Sequence, residues 1–256
     1  MTSTSGAANH RQTKSSAQHS GIRRRVGWLG PLLVLAVVAV LASLSARPAN
    51  EPAGPAGGDR GAQAQPGQGG AANPFAPLVR RQDGDPLALG RVDAPVVIIE
   101  YADFQCMFCA RFAKETGPRL KAEYVERGLV RIEWRDLPIL GPESEAAAAA
   151  ARAAAAQGRF WEYHDALYAE ERRVNSGALN DAALRAIAAD LDLDLDRFDV
   201  DRASDITRAG LDRDEREAVS LGITGTPAFI VADTPIVGAQ PYEVFQQIID
   251  AALADQ

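Results

Sequence analysis

The chain has 256 residues, of which 46% are hydrophobic and 24% are charged. This composition excludes a collagen-like or wholly disordered chain and leaves room for one good-sized domain with extensions. The net charge of −7 is unevenly distributed, because residues 78–256 hold 20 basic and 32 acidic residues. An acidic domain of this kind argues against binding of nucleic acid, whose phosphates attract basic surfaces.

The first 46 residues have the pattern of a membrane anchor. Residues 1–25 contain five basic residues and no acidic one, and an uncharged apolar run follows over residues 26–46. A helix of about 20 residues spans the hydrocarbon core of a bilayer, and basic residues remain on its cytoplasmic side. We therefore expect a basic cytoplasmic tail, a single transmembrane helix or signal anchor at the cell membrane, and an extracytoplasmic domain. A cleavable signal peptide is the alternative, because residues 44–46 fit a small-residue cleavage site, and cleavage would release the domain as a secreted protein.

Residues 47–77 differ in composition from the rest of the chain. Proline, glycine and alanine fill 21 of these 31 positions, and no aliphatic side chain is larger than that of alanine. Such a segment buries too little apolar surface to offset the entropy lost on ordering. We expect a flexible linker, and the folded domain is expected to occupy residues 78–256.

The first part of this domain has a strand–helix–strand pattern. Residues 95–101 form a short, apolar, β-branched run that is typical of a buried strand. Residues 107–127 have helical periodicity ending at Gly128, and residues 129–134 indicate a second strand. This order predicts a βαβ unit with a parallel pair of strands.

A helical block is expected over about residues 142–221. Residues 145–157 are nearly all alanine, which favours a helix packed closely against its neighbours, although a low-complexity linker is the alternative. Asn180 is a candidate N-cap for a helix through residue 189. We expect the aromatic residues that follow the alanine run to lie in the core of the block, and His164 to be an ordinary helix residue.

Strand character returns after the helical block. The remaining predicted elements are strands at residues 228–231 and 235–237 and a final helix that begins at Pro241. The order of the predicted elements is therefore β-α-β, a helical block, and then β-β-α.

Two cysteines, Cys106 and Cys109, form a Cys-x-x-Cys pair at the start of the first helix. Zinc would need four ligands, and only His164 could add a soft ligand from the folded part, so no metal site is expected. A structural disulfide closing so short a loop would constrain the unfolded chain little. A redox role is therefore favoured. The helix N-terminus should lower the pKa of Cys106, making it the exposed attacking sulfur, and Cys109 the buried resolving one.

Three segments carry a family resemblance. Residues 90–96 read Gly-Arg-Val-Asp-Ala-Pro-Val, residues 100–109 read Glu-Tyr-Ala-Asp-Phe-Gln-Cys-Met-Phe-Cys, and residues 222–229 read Gly-Ile-Thr-Gly-Thr-Pro-Ala-Phe. In this order they resemble the DsbA-like thioredoxin family over about residues 87–254. The resemblance implies a thioredoxin-like fold, with a central mixed sheet and an inserted helical subdomain.

The resemblance also implies roles for three residues besides the cysteines. The bond between Thr226 and Pro227 would be cis and face the cysteine pair, where the backbone of Thr226 would bind a substrate strand; an ordinary trans bond is the alternative. Glu100 would be a buried acid that relays a proton to or from Cys109, rather than a solvent-exposed carboxylate at the end of a strand.

The function implied is thiol–disulfide exchange with no cofactor beyond a redox-active Cys106–Cys109 disulfide. We expect a monomeric oxidase of secreted client proteins, recycled by a quinone-linked thiol oxidase in the membrane, because disulfides persist outside the cytoplasm. The family's strongest oxidants have a histidine between the cysteines, whereas this chain has Met107 and Phe108. A disulfide isomerase or reductase of the same fold therefore remains an alternative, as does a non-catalytic tethered chaperone or adaptor.

Overall fold

The computed structural model describes residues 73–255. The predicted cytoplasmic tail, membrane anchor and most of the linker fall on residues 1–72 and lie outside the described residues. Between residues 73 and 255, no helix combines the length and apolar character that a membrane crossing requires.

Five strands form one mixed sheet in the order β1-β3-β2-β4-β5. Their bounds are β1 (Ala88–Leu89), β2 (Val96–Ala102), β3 (Val130–Asp136), β4 (Ala228–Val231) and β5 (Thr234–Val237). Strands β2 and β3 are parallel, and the other neighbouring strands are antiparallel. The parallel pair confirms the predicted βαβ unit. Every residue of β2 is buried, as its apolar sequence indicates.

The predicted strands are nearly correct in position, with two differences. Strand β1 has only two residues, which is too short to produce a sequence pattern. Strand β3 continues to Asp136, two residues beyond the predicted end, although charged residues alternate along it and all seven positions are buried. Ion pairs within the fold compensate these buried charges, and a sequence pattern alone does not show such partners.

One continuous helical segment connects β2 to β3. It consists of α1 (Met107–Arg111), a π-helical turn, α2 (Gly117–Leu120) and a second π-helical turn that ends at Val125. The predicted helical segment is confirmed, and the two π turns within it are an addition that the periodicity did not indicate. Pro118 lacks the amide hydrogen that a regular helix would use, and the N–H of Gly117 donates to the carbonyl oxygen of Phe112, five residues earlier.

The predicted helical block lies between β3 and β4. It contains α3 (Pro142–Ala155), α4 (Phe160–Ala169), α5 (Asp181–Asp190), α6 (Leu195–Arg202) and α7 (Asp205–Ser220). Most of the alanines of α3 are buried, which confirms a packed helix rather than a linker. The side chain of Asn180 accepts a hydrogen bond from the amide of Ala183, so the predicted N-cap is also confirmed.

Helices cover both faces of the sheet. The final helix, α8 (Tyr242–Ala254), packs Phe245 against Phe112 and Phe229 on one face. On the other face, Ala218 of α7 packs against residues of β2 and β4. The helical block forms a further cluster around Trp134 of β3, which is fully buried.

Folded structure begins before the predicted boundary at residue 78. The side chain of Asn73 donates to the carbonyl oxygen of Ala232 at 3.0 Å, and Phe75 packs against the core beneath the sheet. A 3-10 turn, Ala76–Leu78, follows. The last residues of the predicted linker therefore belong to the domain, because their few polar and apolar groups have partners on it.

Buried ion pairs fix α7 against the sheet. Arg135 of β3 contacts Glu217 of α7 at 2.9 Å, and its side chain is almost completely buried. Asp214 of α7 is fully buried and accepts hydrogen bonds from Arg80 at 2.6 Å and from Arg152 of α3 at 2.5 Å. Because the loop at residues 221–227 follows α7 directly, this network also positions that loop.

Candidate active site

Cys106 lies where the chain passes from β2 into α1. Its backbone is extended, and its sulfur accepts a hydrogen bond from the amide of Cys109 at 3.4 Å, so that Cys106 is the N-cap of the helix. The loop begins directly after β2 and brings the sulfur to the carboxyl end of the central strands. The structure thus places the pair at the predicted helix start, with both cysteines as free thiols.

The loop at residues 222–227 lies against this helix start. The peptide bond between Thr226 and Pro227 is cis, as predicted, and the trans alternative does not apply. The Cys106 thiol donates to the carbonyl oxygen of Thr226 at 3.2 Å, across a sequence separation of 120 residues. Two of the three segments that carry the family resemblance, residues 100–109 and 222–229, therefore meet at one sulfur atom.

Cys106 is less exposed than predicted, because only 6% of its surface is accessible. It lines an open groove of about 1050 Å³ together with the loop at residues 224–226. Met107 and Phe108 also line this groove and are 73% and 52% exposed. The sulfur is thus reached through the groove, rather than lying on the outer surface, and the groove has room for an extended peptide.

The two thiols have opposite pKa shifts. The pKa of Cys106 is lowered to about 6, chiefly by a hydrogen bond with the Cys109 thiol. Burial opposes this shift, while hydrogen bonds with the Thr226 side chain and with the amides of Cys109 and Phe108 support it. The helix N-terminus therefore contributes as predicted, but the neighbouring thiol is the larger cause.

The pKa of Cys109 is raised well above its ordinary value. Burial is the main cause, followed by the hydrogen bond with the Cys106 sulfur and the charges of Cys106 and, to a smaller extent, Glu100. Cys109 is therefore a thiol under conditions in which Cys106 is largely a thiolate.

Glu100 is buried in the middle of the sheet, on β2 between β3 and β4. The structure thus agrees with the buried alternative rather than with a solvent-exposed carboxylate. Burial alone raises its pKa to about 8. A carboxyl group of this kind exchanges protons near neutral pH, as a proton donor or acceptor for a buried thiol requires.

Two polar residues that the sequence analysis did not single out hold the loop before Cys106. Asp103 is buried and accepts hydrogen bonds from the hydroxyl of Ser144 at 2.6 Å and from the amide of Gln105 at 2.7 Å. The side chain of Gln105 in turn accepts a hydrogen bond from the amide of Asn175 at 2.6 Å.

Asn175 has a positive φ of 50°, and its side chain donates to the carbonyl oxygen of Leu140 at 2.7 Å. Residues 170–174, which directly precede it, form one wall of the groove. Asn175 therefore fixes this wall to the active-site loop. The only local signal for such a role is that asparagine tolerates a left-handed backbone.

The chain is similar to several known proteins. A family model described as Thioredoxin matches residues 82–251. The Na⁺/H⁺ antiporter NhaA 3 of Salinispora tropica is 37% identical over 168 residues, covering 64% of this chain and 24% of the antiporter. A probable disulfide bond formation protein D of Bacillus cereus is 29% identical over 148 residues, covering 56% of this chain and 68% of that protein. A variant of alpha-DsbA1 from Wolbachia pipientis has a TM-score of 0.60 at 25% identity, covering 66% of this chain and 90% of that one.

These matches confirm the predicted thioredoxin-like α/β fold. They concern the folded domain, and the chain spans only about a quarter of the length of the antiporter it matches. The match therefore gives no support for antiporter activity in this chain.

Proposed function

The chain belongs to the thioredoxin family, and we propose that it is a DsbA-like thiol–disulfide oxidoreductase that acts through Cys106 and Cys109. The observation that carries this proposal is the pairing of a thiol of lowered pKa with a buried thiol of raised pKa beside a cis-proline loop. The similarity to disulfide bond formation protein D supports the same activity.

The reaction begins when a client thiolate attacks the Cys106 sulfur of the oxidised pair. The Cys106–Cys109 bond breaks, a mixed disulfide forms between Cys106 and the client, and Cys109 leaves as a thiolate that takes a proton from Glu100. A second client thiolate then attacks the client sulfur of the mixed disulfide and expels Cys106 as a thiolate. Two electrons pass from the client dithiol to the enzyme, and the client gains one disulfide.

The groove supports a role in holding the client. An extended peptide passing Cys106 can pair with the backbone of Thr226, whose carbonyl oxygen lies 3.2 Å from the sulfur. Met107 and Phe108 provide exposed apolar surface beside it. In this proposal Thr226 and Pro227 position the client, while Cys106 and Cys109 carry the electrons.

The lowered pKa of Cys106 favours oxidation of clients. A stabilised thiolate makes the reduced enzyme more stable, so that the disulfide form is the stronger oxidant. Oxidase activity is therefore proposed ahead of isomerase or reductase activity. A regenerating partner is then needed, and we propose a quinone-linked thiol oxidase in the membrane.

The extracytoplasmic setting of this activity is inferred from residues 1–46. Their basic and apolar segments favour a single-pass anchor that leaves the catalytic domain, which we propose is monomeric, outside the cytoplasm. Protease treatment of intact cells tests this orientation, because the domain should be digested without disruption of the membrane. A domain protected until the cells are lysed would contradict it.

The activity is tested with the purified full-length chain in detergent and a reduced, unfolded protein that has paired cysteines. The wild-type protein, oxidised beforehand, should form one client disulfide per molecule, and Cys106→Ala should form none. Reduced Cys109→Ala, given the client in its disulfide form, should instead accumulate a mixed disulfide, because the Cys106 thiolate attacks the client disulfide, one client sulfur leaves as a thiolate, and no Cys109 thiol is present to release the client. Loss of client thiols at equal rates with wild type and with Cys106→Ala would contradict the proposal. If instead Cys106→Ala suppressed client aggregation as well as wild type and neither exchanged thiols, a chaperone would be indicated.

A further inference from the structure

A second cavity, of about 290 Å³, lies beside Glu100 and is separate from the body of the client groove. Its walls come from β2, from the helical segment around the first π turn, and from α4. The ionisable side chains that line it are Glu100, Lys114, Lys121, His164, Asp165 and Tyr168. The cavity thus joins the buried carboxyl group to polar residues of the helical block.

The proposed reaction requires a path for protons at this position. Cys109 and Glu100 are both almost completely buried, so a proton that Glu100 gives to Cys109 is not replaced directly from bulk solvent. Burial is the sole cause of the raised pKa of Glu100. A cavity of this volume with polar groups on its walls has room for several water molecules, which conduct protons between hydrogen-bonding groups.

His164 lies on the wall of the cavity, next to an exposed carboxylate. Its side chain is 6% exposed and lies among aromatic rings, including that of Tyr168 at a centroid distance of 4.9 Å. Its Nδ1 lies 2.8 Å from Oδ1 of Asp165, whose side chain is 72% exposed. An imidazole accepts a proton at one ring nitrogen and releases one from the other. His164 therefore has the chemistry and the position of a bridge between the interior and the surface.

We propose that His164 and Asp165, with water in the cavity, carry protons between Glu100 and solvent. This inference rests on the proposed function. When Cys109 leaves the disulfide, it takes the proton of Glu100, and the carboxylate takes a proton from cavity water. That water is restored by a proton from His164, which receives another on the side that faces Asp165. Only protons move in this sequence.

The remaining ionisable groups of the cavity do not provide this bridge. The hydroxyl of Tyr168 donates to the carbonyl oxygen of Asp103 at 3.0 Å, and burial raises its pKa well above the ordinary value. Lys114 and Lys121 belong to the helical segment between β2 and β3 and are exposed cations. They are not held inside the fold as His164 is.

The test uses oxidised full-length protein and a small dithiol, dithiothreitol, in single-turnover measurements in H₂O and D₂O. For His164→Ala we expect the step that protonates Cys109 to slow by about 10- to 100-fold, with an increased solvent isotope effect and with partial rescue by added imidazole. Glu162→Gln, on the same helix but not on the cavity wall, is the control and should react as wild type does. Alkylation of reduced Cys106 should be unchanged in both variants.

If His164→Ala does not fold, His164→Gln is measured in its place, because glutamine keeps a polar group beside Asp165 but cannot relay a proton. It should be slowed in the same way. A rate and an isotope effect equal to those of wild type in the folded variant would overturn the relay, while leaving the proposed function intact. A wild-type protein inert towards dithiothreitol would instead overturn the proposed function, and the relay with it.

Discussion

The sulfur of Cys106 lies 3.2 Å from the carbonyl oxygen of Thr226, which is 120 residues further along the chain. This contact joins the helix start after β2 to the loop that follows α7. The buried ion pairs of Asp214 and Glu217 hold α7 on the sheet, so they also maintain this contact. The site therefore depends on the packing of the inserted helical block as well as on the Cys-x-x-Cys segment.

The hydrogen bond with Cys109 is the main cause of the low pKa of Cys106. Replacing this donor by Cys109→Ala should raise the pKa of Cys106 towards its ordinary value, whereas Cys109→Ser retains a hydroxyl donor and should have a smaller effect. The pH dependence of Cys106 alkylation in the two variants measures this difference. Equal midpoints in the two variants, both near that of wild type, would assign the shift to the Thr226 side chain and the amides of the helix start instead.

Glu100 should make the stability of the protein depend on pH. Its pKa is about 8 in the folded protein and about 4.5 when exposed, so the folded state binds the proton more tightly. The resulting stabilisation is complete below about pH 4.5 and is lost as the pH rises to about 8, by up to about 1.4 kcal/mol per pH unit. Glu100→Gln removes this dependence.

Urea unfolding of reduced wild type and of Glu100→Gln at pH 5 and pH 9 measures the effect. The variant should gain stability relative to wild type as the pH rises. If both proteins lost the same free energy of unfolding between the two pH values, the carboxyl group would not be protonated in the folded state.

Removing the charge of Asp214 should destabilise the fold. Asp214→Asn removes one of the two carboxylates that each of Arg80 and Arg152 contacts and leaves Glu217 with Arg80 and Asp136 with Arg152. Breaking a buried pair completely typically costs about 3–5 kcal/mol, so we expect a loss of up to that size. Asp212→Asn changes an exposed residue of the same helix and serves as the control. A loss below about 1 kcal/mol for Asp214→Asn, by urea unfolding, would show that the network contributes little.

Asn175 should affect protein clients more than small thiols. Asn175→Gly retains the backbone conformation but removes the side-chain bond to the carbonyl oxygen of Leu140 at 2.7 Å. It also removes two longer bonds, in which the Asn175 side chain accepts from the Gln105 side chain at 3.3 Å and from the Glu143 amide at 3.5 Å. One lost hydrogen bond corresponds to a rate change of roughly three- to tenfold if the groove wall contributes to client binding. We expect that loss in the oxidation of a reduced protein, measured as thiols consumed, and no change with dithiothreitol. Equal losses for both substrates would indicate damage to the active site itself.

Much of the fold could be predicted from local patterns. The run of apolar, β-branched residues in β2 and the alanines of α3 each dictate one structure, because their side chains have no polar groups that need distant partners. The cysteine pair was identified by its spacing, while the cis bond before Pro227 and the burial of Glu100 were implied by resemblance.

The rest depends on contacts between distant parts of the chain. The charges of β3 are stable in the interior because Arg135 forms an ion pair with Glu217 of α7, which lies 82 residues later in the chain. Asn175 acquires its role by meeting Gln105, and the cavity beside Glu100 exists because α4 packs near the first π turn. No periodicity or spacing in the sequence indicates these long-range contacts.

The whole proposed reaction depends on Cys106 being an ionised nucleophile at neutral pH. Its most direct test is the rate of alkylation of Cys106 by iodoacetamide in the reduced full-length protein between pH 4 and pH 9, with the modified residue identified by mass spectrometry. We expect a rate that rises with a midpoint near pH 6. A midpoint near the ordinary thiol value of about 8.5, or no reaction at Cys106 at any pH, would contradict it.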